Sequence, residues 1–315
     1  MPFVADPDLA IPPGGTTRLR VATLNIWGRS GNWPARREVL RQRLAELEVD
    51  VLGLQEVEEL VESDGTASNQ AEELARSLGF QVAYGVSFTR PHPGGVTRHF
   101  GNAVLSRFPI SRSVCCQLPE AERDEPRSAL FAVVDTPFAL VPVVATHLAW
   151  RLDNSAGRVP QVVELARICE MHWPERSEHD EDDPTYFPVV VLGDLNAEPE
   201  SDELRYLTGL TSLGERGVRF ADGWRYGGVG PGYTYDPVNG YAAAAHEHAR
   251  RIDYVLVRGP GDGGTGRPQE PRLAFTEPLD GVYASDHFGV VVDLAAPPFL
   301  APERPTRPEE HHERT

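Results

Sequence analysis

The chain has 315 residues and a formal net charge of −17, and all 30 of its basic residues are arginine. With 40% hydrophobic and 8% aromatic residues, it has the composition of a folded protein with a sizeable core, which excludes a fibrous or wholly disordered chain. Proteins that hold nucleic acid by its backbone present basic side chains to the phosphates, so the acidic balance argues against an extended DNA-binding face.

The opening residues, MPFVADPDLAIPPGG, lack a basic segment followed by an apolar run. No secretory signal is expected, and a cytoplasmic location is. Residues 1–17 are rich in Pro, Gly and Asp and predict a flexible leader. Arg18 to Ile26 reads as a strand ending at Asn25. Pro34 then suits the first turn of a helix whose stripe is Leu40, Leu44 and Leu47. Val51 to Leu54 is a short apolar strand running into Gln55 and Glu56, and Ala71, Leu74, Ala75 and Leu78 mark a second helix stopped by Gly79.

Further strands are predicted at Gln81–Ser87, Asn102–Ser106, Ala129–Asp135 and Leu140–His147. Val159, Val162, Ala166, Cys169 and Trp173 form a third helical stripe. The stretch Glu175 to Pro184 is an acidic run suited to a mobile surface loop. Val189 to Leu192 is a fully apolar, hence buried, strand that ends in Gly193-Asp194. A segment rich in Gly and Pro, Gly259 to Pro271, separates the last two strands, Ile252–Val257 and His287–Leu294. The tail 295–315 is rich in Pro and charge and reads as disordered. No linker divides residues 18–294, and many strands with few helices predict two packed sheets with helices outside. Cys115, Cys116 and Cys169 form no disulfide framework and are read as reduced, and no apolar run is long enough to span a bilayer.

Polar residues recur where apolar strands end: Asn25, Glu56, His147, Asp194 with Asn196, Asp253, and Asp286 with His287. A buried strand fixes the side chain that emerges from its end. One such carboxylate is ordinarily a turn or helix cap, and one such histidine a structural residue. Eight such residues at six strand ends in one chain point to a site. Phosphoester hydrolysis needs this inventory. Mg²⁺ takes oxygen ligands and needs only one or two carboxylates, water must be oriented or deprotonated, and a cationic His can steady phosphoryl oxygens.

The blocks TLNIWG (23–28), LQEVE (54–58), GNAVLSR (101–107), ATHL (145–148), GDLNAEP (193–199), RRIDYVLV (250–257) and SDHFGV (285–290) together resemble the endonuclease/exonuclease/phosphatase superfamily, in the family's order. GDLN or SDH alone would carry little; the ordered set covers nearly the whole folded part. The resemblance implies a four-layered α/β/β/α sandwich, deoxyribonuclease I-like, with the site at one edge of the paired sheets. It implies Mg²⁺, with Mn²⁺ as a substitute, held by Glu56 with Asn25 and Asp286. It further implies that Asp194 acts on the attacking water, Asn196 holds that water or a phosphoryl oxygen, and His287 paired with Asp253 grips the phosphate. His147 falls where some branches place a phosphate-contacting or leaving-group histidine. Asn102 would touch the phosphate, and Tyr235, Asn239 and Arg158 are candidates for substrate binding.

The ATHL block is similar to branches containing deoxyribonuclease I, neutral sphingomyelinases, deadenylases and inositol polyphosphate phosphatases. Arg251-Ile252-Asp253-Tyr254 stands where inositol polyphosphate 5-phosphatases carry a Trp-Cys-Asp-Arg type block, and no long apolar hairpin suited to membrane insertion is evident. The expected function is therefore a phosphodiesterase, acting as a monomer on small or short substrates. The alternative is a DNA or RNA endo- or exonuclease whose groove Arg90, Arg98, Arg127, Arg151 and Arg158 would line. A non-catalytic protein that binds a phosphorylated ligand is the reading from a different class.

Overall fold

Among the described residues, thirteen strands build two sheets, and both sheets carry apolar residues on both faces. The computed structural model describes residues 18–175, 186–261 and 264–296. The leader, nearly all of the acidic run after Glu175 and the tail from 297 lie outside them. In chain order the strands are β1 (Arg18–Asn25), β2 (Val51–Val61), β3 (Ala67–Asn69), β4 (Gln81–His92), β5 (Val96–Ser106), β6 (Ile110–Gln117), β7 (Ser128–Asp135), β8 (Leu140–His147), β9 (Val190–Asp194), β10 (Phe220–Asp222), β11 (Asp253–Arg258), β12 (Pro268–Ala274) and β13 (Gly289–Ala295). The helices are α1 (Trp33–Leu47), α2 (Gln70–Leu78), α3 (Ser155–His172) and α4 (Asp202–Leu207).

One sheet runs β12-β13-β1-β2-β5-β4, with β3 paired to β2; the other runs β10-β11-β9-β8-β7-β6. The alternation of side chains along a strand sorts the core into three apolar layers. Leu19, Val21, Val51, Val143, Ala145, Val190 and Leu192 meet between the sheets. Ala22, Leu24, Leu52 and Leu54 point the other way, under Val39, Leu40 and Leu44 of α1 and Ala71 and Leu74 of α2. Val144, Val191 and Leu256 lie under Val162, Leu165 and Ile168 of α3 and Leu204 of α4. The result is the expected order of helices, sheet, sheet and helices.

The sheets approach closely at Gly53, where a Cβ would lie 2.6 Å from the Cβ of Leu192. Two residues on, Gln55 bridges the same gap, accepting from Thr23 Oγ1 at 3.2 Å and donating to the Leu192 carbonyl at 3.3 Å.

Several elements differ from the sequence expectation. β2, β4 and β5 run well past their apolar cores into a polar hairpin, because backbone pairing continues where side-chain alternation has faded. β6 and β12 were not expected. β12 contains two prolines and pairs only with β13, at the sheet edge where proline is tolerated. The Gly- and Pro-rich segment thus becomes a strand from Pro268, and the presumed tail begins with Ala295, the last residue of β13. Among the described residues, no helix is long and apolar enough to cross a membrane. All three cysteines are free.

Candidate active site

The same alternation that buries the core builds the site. On β8 the inward positions are Val143, Ala145 and then His147; on β9 they are Val190, Leu192 and then Asp194; on antiparallel β11 they are Val257, Val255 and then Asp253. Register places His147 and Asp253 on either side of Asp194, so three polar side chains form one row where the apolar pattern stops. Asn25 ends the inward series of β1 and pairs with Gln55 in the facing sheet.

Glu56 reaches the site through a bulge. The pairing of β2 with β5 shifts between Leu54 and Val57, both of which point outward, and Glu56 adopts a left-handed φ of 58°. The extra residue breaks strict alternation and turns the Glu56 carboxylate to the sheet edge. Asn25 holds it there: its Nδ2 donates to Glu56 Oε1 at 3.1 Å and to Asp194 Oδ2 at 3.0 Å. The Asn25 Oδ1 accepts from the Trp27 amide at 2.9 Å. In this arrangement Asn25 clamps two carboxylates through its nitrogen while the Trp27 amide engages its oxygen.

Asp194 is 1% exposed. Burial, then the neighbouring Asp253, pushes its pKa up to about 6. The backbone amide of Asn196, itself at φ 48°, donates to Asp194 Oδ1 at 3.0 Å. Asp286 is raised to about 6 by burial, with Glu56 adding to the shift, and burial raises Glu56 as well. Two carboxylates that raise each other's charge cost, with only oxygen ligand atoms, fit a hard divalent cation.

A second group, Asp194, Asp253 and His287, has ligand atoms within 4.8 Å of one another. Here the chemistry is that of an ion pair. His287 Nδ1 lies 2.9 Å from Asp253 Oδ2 and its Nε2 lies 3.9 Å from Asp194 Oδ2. Burial opposes charge on this ring, yet Asp253, Asp286 and Asp194 outweigh it and hold the pKa well above the usual histidine value. An imidazolium offers no lone pair to a metal. Tyr235 packs its ring edge-on against His287, with centroids 5.1 Å apart.

His147 is the opposite case. Burial, then Arg127, pushes its pKa well below the usual value. Arg127 Nη1 sits 3.2 Å from His147 Nδ1, while Asn196 Nδ2 is 3.0 Å and Asp194 Oδ2 3.5 Å from Nε2. These surroundings disfavour the charged ring that a leaving-group acid would need.

Three other candidates take different places. Asn239 donates to the Ser285 carbonyl at 2.8 Å and accepts from the Tyr241 amide at 3.0 Å, so it braces the loop before His287. Arg158 is 4% exposed and bonds Glu203 at 2.8 Å and the carbonyls of Ala149 and Arg151. It anchors the loop after β8, and substrate binding is replaced by that role. Asn102 turns Nδ2 to the Ser128 carbonyl at 3.0 Å, leaving Oδ1 buried without a partner. In that pose it presents an acceptor, and it must turn to donate to a phosphate.

Sequence reasoning missed Arg36, Gln55 and Thr234 as parts of this architecture, and saw Arg127 only as a groove residue. Arg36 is fully buried and donates to the carbonyls of Ile26, Gly28, Ser30 and Ala284, tying the loop after β1 to the loop before His287. Thr234 Oγ1 accepts from the amides of Ile252 and Asp253 at 3.1 Å each. A polar residue inside an otherwise apolar strand, as Gln55 is, was the available signal.

A family model described as Endonuclease/Exonuclease/phosphatase family matches residues 22–287. No curated protein matches the chain by sequence. Among solved structures, the endonuclease/exonuclease/phosphatase from Bacteroides vulgatus is 17% identical with a TM-score of 0.63, over 89% of this chain and 100% of that one. D. rerio TDP2 complexed with single strand DNA product is 20% identical at TM-score 0.63, over 88% and 99%. The endonuclease/exonuclease/phosphatase from Beutenbergia cavernae is 26% identical at TM-score 0.62, over 89% and 72%.

Proposed function

We infer, from the premise that this chain belongs to the Endonuclease/Exonuclease/phosphatase family of phosphoester hydrolases, that it is a Mg²⁺-dependent phosphodiesterase of small or short substrates. The observation that carries the reading is the row His147, Asp194, Asp253 with His287 against it, facing Asn25 and Glu56 across the sheet edge. Glu56 and Asp286 would hold the cation, which supplies positive charge to the phosphoryl oxygens. Asp194, with a pKa near neutrality, is suited to accept a proton from the attacking water, which the Asn196 amide helps to hold. The His287 imidazolium, oriented by Asp253, donates to the scissile phosphate and stabilises the charge that develops there.

Substrate size is argued from what the arginines already do. Arg98 pairs with Glu58 at 3.4 Å, Arg127 with Asp124 at 3.0 Å, Arg158 with Glu203 at 2.8 Å, and Arg90 with Glu125 at 3.7 Å. Four of the five groove candidates thus have carboxylate partners, which leaves little free positive charge for a long polyanion. The second reading, a nuclease, draws support from the neighbour whose structure holds a DNA product.

Steady-state kinetics decide between the two. Turnover of a simple aryl phosphodiester, abolished by EDTA, is the expected basal result. At fixed Mg²⁺, kcat/KM should fall gently with salt, and a dinucleotide should be cleaved about as well as a plasmid. A long-polyanion binder loses affinity with a slope of about −0.9 per phosphate neutralised. A steep slope with strong preference for the plasmid would establish the nuclease instead.

A further inference from the structure

Arg127 is held on the far side of His147 from the reacting groups. It is 4% exposed, with Nη1 on His147 Nδ1 at 3.2 Å and Nη2 on Asp124 Oδ1 at 3.0 Å. The other oxygen of Asp124 accepts the Trp150 and Arg151 amides at 2.8 and 3.4 Å. The guanidinium is therefore held by Asp124, from the loop between β6 and β7, and Asp124 is in turn held by the loop that follows β8.

An arginine can only donate hydrogen bonds. The ring nitrogen that faces it must accept, and a neutral imidazole with an accepting Nδ1 carries its proton on Nε2. The other tautomer would set an N–H against an N–H beside a fixed cation. Nε2 points the opposite way, towards Asn196 and Asp194. Of the three groups that face this ring, Arg127 can only donate and Asp194 can accept; Asn196 alone can change its polarity, by turning its amide so that Oδ1 meets the Nε2 proton and giving up the Nδ2 bond to the Leu148 carbonyl at 3.3 Å.

We propose that Arg127 is a positioning residue that fixes the tautomer of His147, so that His147 presents a permanent Nε2–H donor to the reacting oxygens. The inference rests on the phosphodiesterase reading only for what that donor serves; the tautomer itself is a property of the protein alone. Two histidines in one site then divide the work. His287 brings charge, and His147 brings a hydrogen bond whose direction does not depend on gaining a proton.

A long-range ¹⁵N–¹H correlation spectrum of the full-length labelled protein, with and without Mg²⁺, tests this directly. The signals of His147 among the ten histidines are identified by their loss in His147→Gln. The expected wild-type pattern is a protonated Nε2 and a pyridine-like Nδ1. Arg127→Met should mix or reverse that pattern and lower kcat on an aryl phosphodiester by about 10- to 100-fold, with KM within about twofold, as small misplacements of reacting groups do. Arg127→Lys keeps a cationic donor and should restore the pattern and most of kcat. Should Arg127→Met fail to fold, the wild-type spectrum and Arg127→Lys still decide. A wild-type His147 protonated on Nδ1 or on both nitrogens overturns the proposal, as does an Arg127→Met enzyme with unchanged kcat. An Nε2–H spectrum in a protein that turns over no phosphodiester would instead remove the functional reading and leave the tautomer assignment standing.

Discussion

His147 and His287 both approach Asp194, both are almost fully buried, and they differ most in the charged group behind each. The second nitrogen of His287 meets Asp253, and that of His147 meets Arg127. Equal burial penalises charge on both rings, so desolvation alone would leave both neutral. The carboxylate reverses that outcome for one ring, and the guanidinium reinforces it for the other. The acid–base character of a histidine in this site is thus decided by the residue behind it, not by the ring or its depth.

The most severe way to break the contrast is to remove what both rings face. Asp194→Asn should lower kcat by about 10³- to 10⁴-fold with KM little changed, the range expected for a positioned base; pre-steady-state and steady-state kinetics on an aryl phosphodiester would check it. A rise confined to KM would mean that Asp194 binds substrate and does not act on water.

Arg36→Leu should sharpen the contrast by acting on one half. Burial lowers the Arg36 pKa to about 10, and its removal orphans several buried carbonyls. A loss of about 3 kcal/mol in urea unfolding is expected. Because Ala284 lies next to the His287 loop, the His287 resonances should shift while those of His147 stay in place.

Asp253→Asn should cost about 10²-fold in kcat, some 2.7 kcal/mol of barrier. The sign of its pH effect follows from the raised folded value of His287. The active, charged ring is present below that value and is lost as pH rises through it. Removing Asp253 lowers the value, so the alkaline limb of the rate profile should move to lower pH. An unmoved limb would mean that Asp286 and Asp194 suffice to hold the charge.

The smallest effect belongs to a control far from both rings. Burial works against ionised Asp293, but bonds from Arg20 and Arg18 outweigh it and hold its pKa below the usual value. Its stabilisation is therefore present above the unfolded value and lost as pH falls through the folded one. Asp293→Asn should cost about 1 kcal/mol or less at neutral pH, with the gap closing below about pH 4. Both histidine spectra should be unchanged.

The sequence showed the strands that end in polar residues because burial writes itself as an unbroken apolar run. Hence β1, β8, β9 and β11 and the residues Asn25, His147, Asp194 and Asp253 were all legible. β6 and β12 were not, since an edge strand is half exposed and its residues follow no strict period. The hydrogen bonds of Arg127 and Arg158 were hidden for another reason. Arginine is ordinarily a surface residue, and nothing local distinguishes one that reaches a buried carboxylate from one that faces solvent. The clamp role of Asn25 depends on which end of its amide points where, which only three-dimensional neighbours decide.

Gly53 has a bearing on all of this from a distance. Its missing side chain lets β2 rest against Leu192 of β9, and the Glu56 bulge and Asp194 stand just beyond that contact on the same two strands. The contact behaves like a machinist's shim of zero thickness. A single methyl inserted there would widen the gap between the carboxylate proposed to take the cation and the one proposed to take the proton, while leaving both side chains as they were. Tolerances at the working edge of the molecule are cut in its floor.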